Sequence, residues 1–200
     1  MEFQEKVKAL FEIEGSEISA LGTSVNPQEL SAVTKIIEDC VGNIFVTGCG
    51  TSAMAARKIV HTLNVIGERT VYLNPSDAVH GELGAVHEGD VVIIVSKGGN
   101  TAELTKFVPN LIEKKSTIVA VTEDKDSTIA KAANQVLIVK VNKEIDKLNM
   151  LATTSTLAVI SAFDVIAILL MDQENFSERS FLVNHPSGAV GERLKEDVGK

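Results

Sequence analysis

Two stretches of this chain gather residue types that together can hold an anion. The first is Thr47-Gly48-Cys49-Gly50-Thr51-Ser52, where a short apolar run gives way to a helix-forming one. Glycines permit close backbone approach, and a helix N-terminus offers unpaired N–H groups at the positive end of its dipole. Thr51 and Ser52 add hydroxyl donors that suit a terminal phosphate monoester. The second stretch, Ser96-Lys97-Gly98-Gly99-Asn100-Thr101, is again a glycine turn flanked by hydroxyls that opens a helix. Two such loops side by side can surround one phosphate. The plainer alternative is that Gly98-Gly99 only makes the turn while Ser96 and Thr101 cap the helix.

Gly48-x-Gly50-x-x-Ala53 also fits a loose dinucleotide fingerprint. That fingerprint wants an acid ending the second strand, about 20 residues on. Here that strand ends in Leu73-Asn74, and the nearest acid, Asp77, follows Pro75-Ser76. Neither a nicotinamide nor a flavin cofactor is expected, and no metal.

The elements that must position these loops follow from periodicity. Asn43–Thr47, Thr70–Leu73, Asp90–Val95, Thr117–Val121 and Gln135–Val139 are short, β-branched, nearly continuous apolar runs, as expected of strands covered on both faces. Helical stretches lie between them at about 52–66, 76–80, 101–114 and 127–133. This alternation predicts right-handed βαβ crossovers and a five-stranded parallel sheet in a three-layer αβα sandwich of flavodoxin-like type. In such a sheet the ligand crevice lies at the carboxyl ends of the strands, which places both glycine loops there. Two amphipathic helices precede the sheet, over about 2–21 and 26–40. The second carries an Asn26 cap, Pro27 in its first turn and Glu29 in a capping-box position. An apolar helix over 151–171 follows the last strand. The expected organisation is one domain over 1–200, with N-terminal helices to 40, a sheet core over 43–172 and a tail over 173–200.

The whole-chain properties narrow the partners. Two hundred residues, 44% of them apolar, supply one well-formed core. A net charge of −8 with no basic run argues against nucleic acid and anionic membrane. The longest apolar stretch, Leu157 to Met171, contains Asp164 and falls short of the ~20 residues a bilayer demands, so it reads as a buried helix. The charged, amphipathic N-terminus lacks a signal-peptide pattern, so a cytoplasmic chain with Cys40 and Cys49 as thiols is expected. Apolar helix faces on so small a domain predict a homo-oligomer, dimer or tetramer.

The two loops, the strand pattern and the tail resemble the sugar isomerase (SIS) domain, and within it the arabinose 5-phosphate isomerases of the KpsF/GutQ type. The resemblance covers nearly the whole chain. It rests on Val46–Ser52 with Arg57-Lys58, on Asn74–Val86 with its Ala78-Val79-His80-Gly81-Glu82-Leu83-Gly84 run, and on Lys143-Glu144 followed by Thr153-Thr154-Ser155-Thr156. Its most specific part is the tail Asn184-His185-Pro186-Ser187-Gly188-Ala189-Val190-Gly191. The resemblance implies a phosphosugar aldose–ketose isomerase that binds phosphate through Thr51, Ser52, Ser96 and Thr101 and moves protons with Glu103, Glu144, His80 and His185. It also implies a tetramer in which His185 reaches a neighbour's site. Relatives commonly carry Lys at the place of Thr51, and Asn-Ser-Gly-Glu at the place of Lys97-Gly98-Gly99-Asn100. Lys97 can restore the lost cation, and backbone N–H groups at Gly50 and Gly99 remain. Many relatives continue into two CBS domains, and regulation through such modules is not expected of a chain ending at Lys200.

Such an isomerase needs a phosphate anchor, a ring-opening acid or base, and a base that moves a proton between adjacent carbons through an enediol. Glu144 after the fifth strand is the candidate base, and His185 the ring-opening group. Each has a structural alternative: Glu144 as a solvated loop charge, Glu103 as a first-turn dipole partner, His80 as a turn residue and His185 as a stiffener before Pro186. His61 and His87 carry no motif. The competing functions are a non-catalytic sugar-phosphate-binding domain and an isomerase of another ketose phosphate, such as a hexulose 6-phosphate.

Overall fold

The computed structural model describes residues 2–173 and 176–198. Residues 174, 175, 199 and 200 of the expected tail lie outside them. The chain opens with two helices, α1 (Phe3–Ser24) and α2 (Pro27–Glu38). An alternating series follows: β1 (Ile44–Gly48), α3 (Thr51–Ile66), β2 (Thr70–Tyr72), α4 (Pro75–Ala78), β3 (Val91–Val95), α5 (Ala102–Thr105), α6 (Val108–Glu113), β4 (Thr117–Thr122), α7 (Thr128–Ala132) and β5 (Gln135–Ile138). It closes with α8 (Thr154–Gln173), α9 (Glu178–Asn184) and α10 (Gly188–Val198).

The five strands form one parallel sheet in the order β2-β1-β3-β4-β5. Strand side chains alternate between faces, and the core divides accordingly. Val91, Ile93 and Val95 of β3 join Val33, Ile37, Ile59, Phe163 and Ile166 beneath α1, α2, α3 and α8. Val92 and Ile94 join Leu73, Leu104, Phe107, Leu111 and Ile129 on the side of α4 to α7. The αβα sandwich is therefore as expected.

Three local expectations are corrected. The helix expected over 101–114 is two short ones, because Pro109 at the start of α6 has no N–H to continue a ladder from α5. Glu29 does not close a capping box. Asn26 caps α2 by accepting from the Gln28 amide (2.9 Å), while Glu29 accepts from the Ile138 amide at 2.9 Å and ties α2 to β5. The apolar α8, long enough to cross a membrane by length and composition alone, is buried on one side only. Ala158, Ala162, Phe163, Ile166 and Leu170 enter the core, whereas Val165 and Ile168 are half exposed. Cys40 and Cys49 are free thiols.

Candidate functional site

The strand order reverses between β1 and β3, since β2 lies on one side of β1 and β3 on the other. The loops leaving these two strands therefore part at the point where a parallel sheet opens a crevice. A small cleft lies there, lined by Thr51, Ser52, Lys97, Glu123, Ser155 and Thr156 among others. Gly50, with φ +58°, is the N-cap of α3 and turns the chain so that Thr51 and Ser52 start the helix at the cleft.

The second loop is organised differently from the sequence expectation. Ser96 is buried, its Oγ lies 2.9 Å from Thr101 Oγ1, and it accepts from the Gly99 amide at 3.1 Å. Gly99 has φ +61°, and a Cβ there would meet Ser127 Oγ at 2.0 Å. Ser96, Gly99 and Thr101 thus make hydrogen bonds that shape the loop, and none of the three lines the cleft. Lys97 is the residue of this loop that reaches the cleft.

Lys97 meets two carboxylates. Its Nζ donates to Glu144 Oε1 at 2.7 Å and lies 3.9 Å from Glu123 Oε1. Glu144 is 1% exposed. Its Oε2 accepts from the Thr153 amide (2.9 Å), Thr153 Oγ1 (3.1 Å) and the Ser155 amide (3.1 Å), and its Oε1 also accepts from Ser155 Oγ. Burial alone would push this carboxyl up. The Lys97 ammonium, the Ser155 hydroxyl and the Thr153 and Ser155 amides outweigh it and hold the carboxyl down at about 2. As placed, Glu144 is a saturated, weakly basic anion that hangs the 144–155 segment on the sheet; it is not the solvated loop charge of the plainer alternative. Glu123 behaves oppositely. Burial raises its carboxyl above the ordinary value, with Lys97 pulling it down and Glu144 pushing it further up.

The other expected site residues are not brought into this cleft. Glu103 is exposed in the first turn of α5, near Cys49, whose thiol is pushed up by burial and by that carboxylate. His80 is exposed in the turn after α4, its amide on Asp77 O at 3.0 Å. Both sit at the carboxyl end of the sheet but outside the lining of the cleft. His185 is at the opposite pole. The preceding Asn184 donates its side-chain amide to Val65 O at 3.1 Å, near the end of α3. At about 1.5 Å per residue, Val65 is about 21 Å along that helix from Thr51. His185 stacks on Phe181 with ring centroids 5.5 Å apart, and its Nδ1 is buried with no hydrogen-bond partner among the described residues. This placement keeps His185 out of the cleft of its own chain. Sequence reasoning missed Glu123 and Ser155 as cleft residues. Glu123 directly follows the fourth strand, so the carboxyl-end rule applied to every strand would have found it.

The SIS domain family matches residues 37–169. Arabinose 5-phosphate isomerase KpsF of Escherichia coli is 33% identical over 181 residues, which are 90% of this chain and 57% of that protein. The chain spans a little over half the length of such curated relatives. A crystal structure described as a proposed sugar-phosphate isomerase from Listeria monocytogenes superposes with a TM-score of 0.90 at 43% identity, covering 94% of this chain and all of the other. A protein of E. coli CFT073 in complex with arabinose 5-phosphate superposes with a TM-score of 0.88 at 26% identity, covering 93% of this chain and all of its own.

Proposed function

This chain belongs to the SIS domain family, and on that premise we propose that its cleft binds a sugar phosphate and interconverts the aldose and ketose forms through an enediol. The pair we assign is arabinose 5-phosphate and ribulose 5-phosphate, in the cytoplasm. The observation that carries the reading is the convergence of Thr51, Ser52 and Lys97 on one cleft at the strand-order reversal, with two carboxylates behind them. A helix N-terminus with hydroxyls and an ammonium suits a phosphate, and a carboxylate beside it suits proton movement. Two E. coli relatives, one named for this isomerase and one bound to arabinose 5-phosphate, support the choice of sugar. The deciding experiment is NMR observation of pentose, hexose and heptose phosphates with the purified protein. Isomerisation of arabinose 5-phosphate is expected, turnover of a hexulose phosphate instead would reassign the substrate, and binding without turnover of any sugar would leave a sensor domain.

Ser52→Ala tests the anchor. Removing one hydrogen bond to a charged partner is expected to weaken binding of arabinose 5-phosphate by about 1–2 kcal/mol, or about 5- to 30-fold. Calorimetric titration measures it, and unchanged affinity removes Ser52 from the site.

The site also motivates a homo-oligomer. His185 lies far from the cleft of its own chain, and the outer side of α8, with Leu157, Val165, Ile168 and Leu169, is apolar and exposed. We assign His185 to the cleft of a neighbouring copy in a dimer or tetramer. Light scattering at micromolar concentration should give a multiple of the 21.4 kDa chain mass; a monomer would overturn the assignment.

A further inference from the structure

We propose that Lys97 and Glu123 together form a subsite for one hydroxyl of the sugar, on a carbon between the phosphate and the reacting end, and that this pair sets which sugar phosphate the cleft accepts. This deepens the sugar-phosphate reading above and rests on it.

The subsite starts from an atom without a partner. Glu123 follows β4 directly, lines the same cleft as Thr51, Ser52 and Lys97, and its side chain is 18% exposed. The Val141 backbone supports its carboxylate, whereas Oε1 is buried with no hydrogen-bond partner among the described residues. A buried carboxylate oxygen without a donor is costly until something completes it. The neighbouring donors of the chain are already spent. Ser155 gives its hydroxyl and its amide to Glu144, and Thr122 Oγ1 donates to Lys97 O at 2.9 Å.

Lys97 supplies the other half. Its Nζ stands 3.9 Å from Glu123 Oε1, beyond hydrogen-bond reach, while its tie to Glu144 at 2.7 Å uses one of the N–H donors of the ammonium. A separation of that size between an ammonium and a carboxylate fits one bridging oxygen, about 2.8 Å from each. The bridging group must accept from Nζ and donate to Oε1. A hydroxyl does both; an ether oxygen, a fluorine or a methylene does not. Lys97, with 45% of its side chain exposed, has the freedom to admit it.

In a 5-phosphorylated pentose whose C1 and C2 react, C3 and C4 are the carbons between anchor and chemistry, and their hydroxyls are available for recognition. A site whose charged groups need a hydroxyl discriminates strongly against an analogue that lacks it, because both groups then lose their partner. No proton changes hands in this contact: Glu123 stays an acceptor and Lys97 a donor.

The experiment is calorimetric titration of the wild-type chain, Glu123→Ala and Glu123→Gln with arabinitol 5-phosphate, which has no carbonyl to react, and with its 3-deoxy and 4-deoxy forms. One of the two deoxy forms is expected to bind the wild-type chain about 10- to 100-fold more weakly than the parent compound. That penalty should shrink to less than about threefold in Glu123→Ala, since the contact it reports is gone. Glu123→Gln, which keeps the shape but not the charge, should show a smaller penalty than wild type. Inorganic phosphate should bind Glu123→Ala no more weakly than wild type; if it does bind more weakly, the cleft itself has changed and Glu123→Gln decides. Equal penalties in wild type and variants, or no penalty for either deoxy form, would overturn the subsite while the sugar-phosphate reading stands. So would a wild-type chain that binds arabinose 5-phosphate but not arabinitol 5-phosphate. If it binds neither, the sugar-phosphate reading itself falls, and the subsite with it.

Discussion

Glu144→Ala is expected to cost about 3–5 kcal/mol of folding stability, because it removes the acceptor on which an ammonium and several other donors converge. The anion is buried, and Lys97, Thr153 and Ser155 all point at it. Without it, the Thr153 and Ser155 amides lose their partner where the chain enters α8. For a chain of this length the melting temperature should fall by roughly 10 °C. A differential scan checks this, and a shift below about 2 °C would mean that water replaces the carboxylate without loss.

The same group sets an acid limit. Its carboxyl is held at about 2 in the folded chain against an ordinary 4.5. A folded value below the unfolded one contributes stability that is present in full above pH 4.5 and fades as pH falls toward 2. The full contribution is about 3 kcal/mol by linkage. Glu123, shifted the other way, opposes this in part by favouring the folded state at low pH. The melting temperatures of wild type and Glu144→Ala should accordingly converge between pH 4.5 and 2. Parallel curves across that range would contradict the charge-based account.

Gly99→Ala is the second large effect. The residue has φ +61°, which costs an L side chain about 1–3 kcal/mol. Its new Cβ would also fall 2.5 Å from Ser127 Cβ and 2.0 Å from Ser127 Oγ. Ser127 caps α7 by accepting from the Ala130 amide and donates to Asp124 O at 2.7 Å, so displacing it loosens that helix as well. A loss of about 3 kcal/mol is expected by urea unfolding, together with weaker sugar-phosphate binding, because the loop that aims Lys97 is moved. Gly98→Ala is the control: no atom lies within 4 Å of its Cβ position and its φ is not positive, so it should change stability by less than about 0.5 kcal/mol.

The contrast between neighbouring glycines marks what was legible in the sequence. The five strands and the crossovers could be read because doubly covered strands are written as apolar runs, and the glycine turns announced where those strands end. Which members of the loops face a ligand could not be read. Ser96 and Thr101 have the hydroxyls a phosphate wants, but the short turn between them lets the two satisfy each other. His185 stands in a specific motif, yet its position depends on α8 and α9, which carry the tail away from the cleft. Glu144 stands out in the sequence as an acid just past the last strand, but its donors come from residues nine to eleven positions later and from another loop. Such a saturation is a property of folding back, for which local spacing carries no sign.

The seating of α1 and α2 has a further consequence, in time. These first helices rest against α8, with Ile18, Leu21 and Leu30 facing Ala162 and Val165. Glu29 and Glu17 reach the amides of Ile138 and Asn142, 109 and 125 positions later in the chain. At a synthesis rate of roughly 5–20 residues per second, the apolar sides of the opening helices wait on the order of ten seconds for their partners to be made. During that interval the newborn chain is most open to mispairing with its neighbours on the same message.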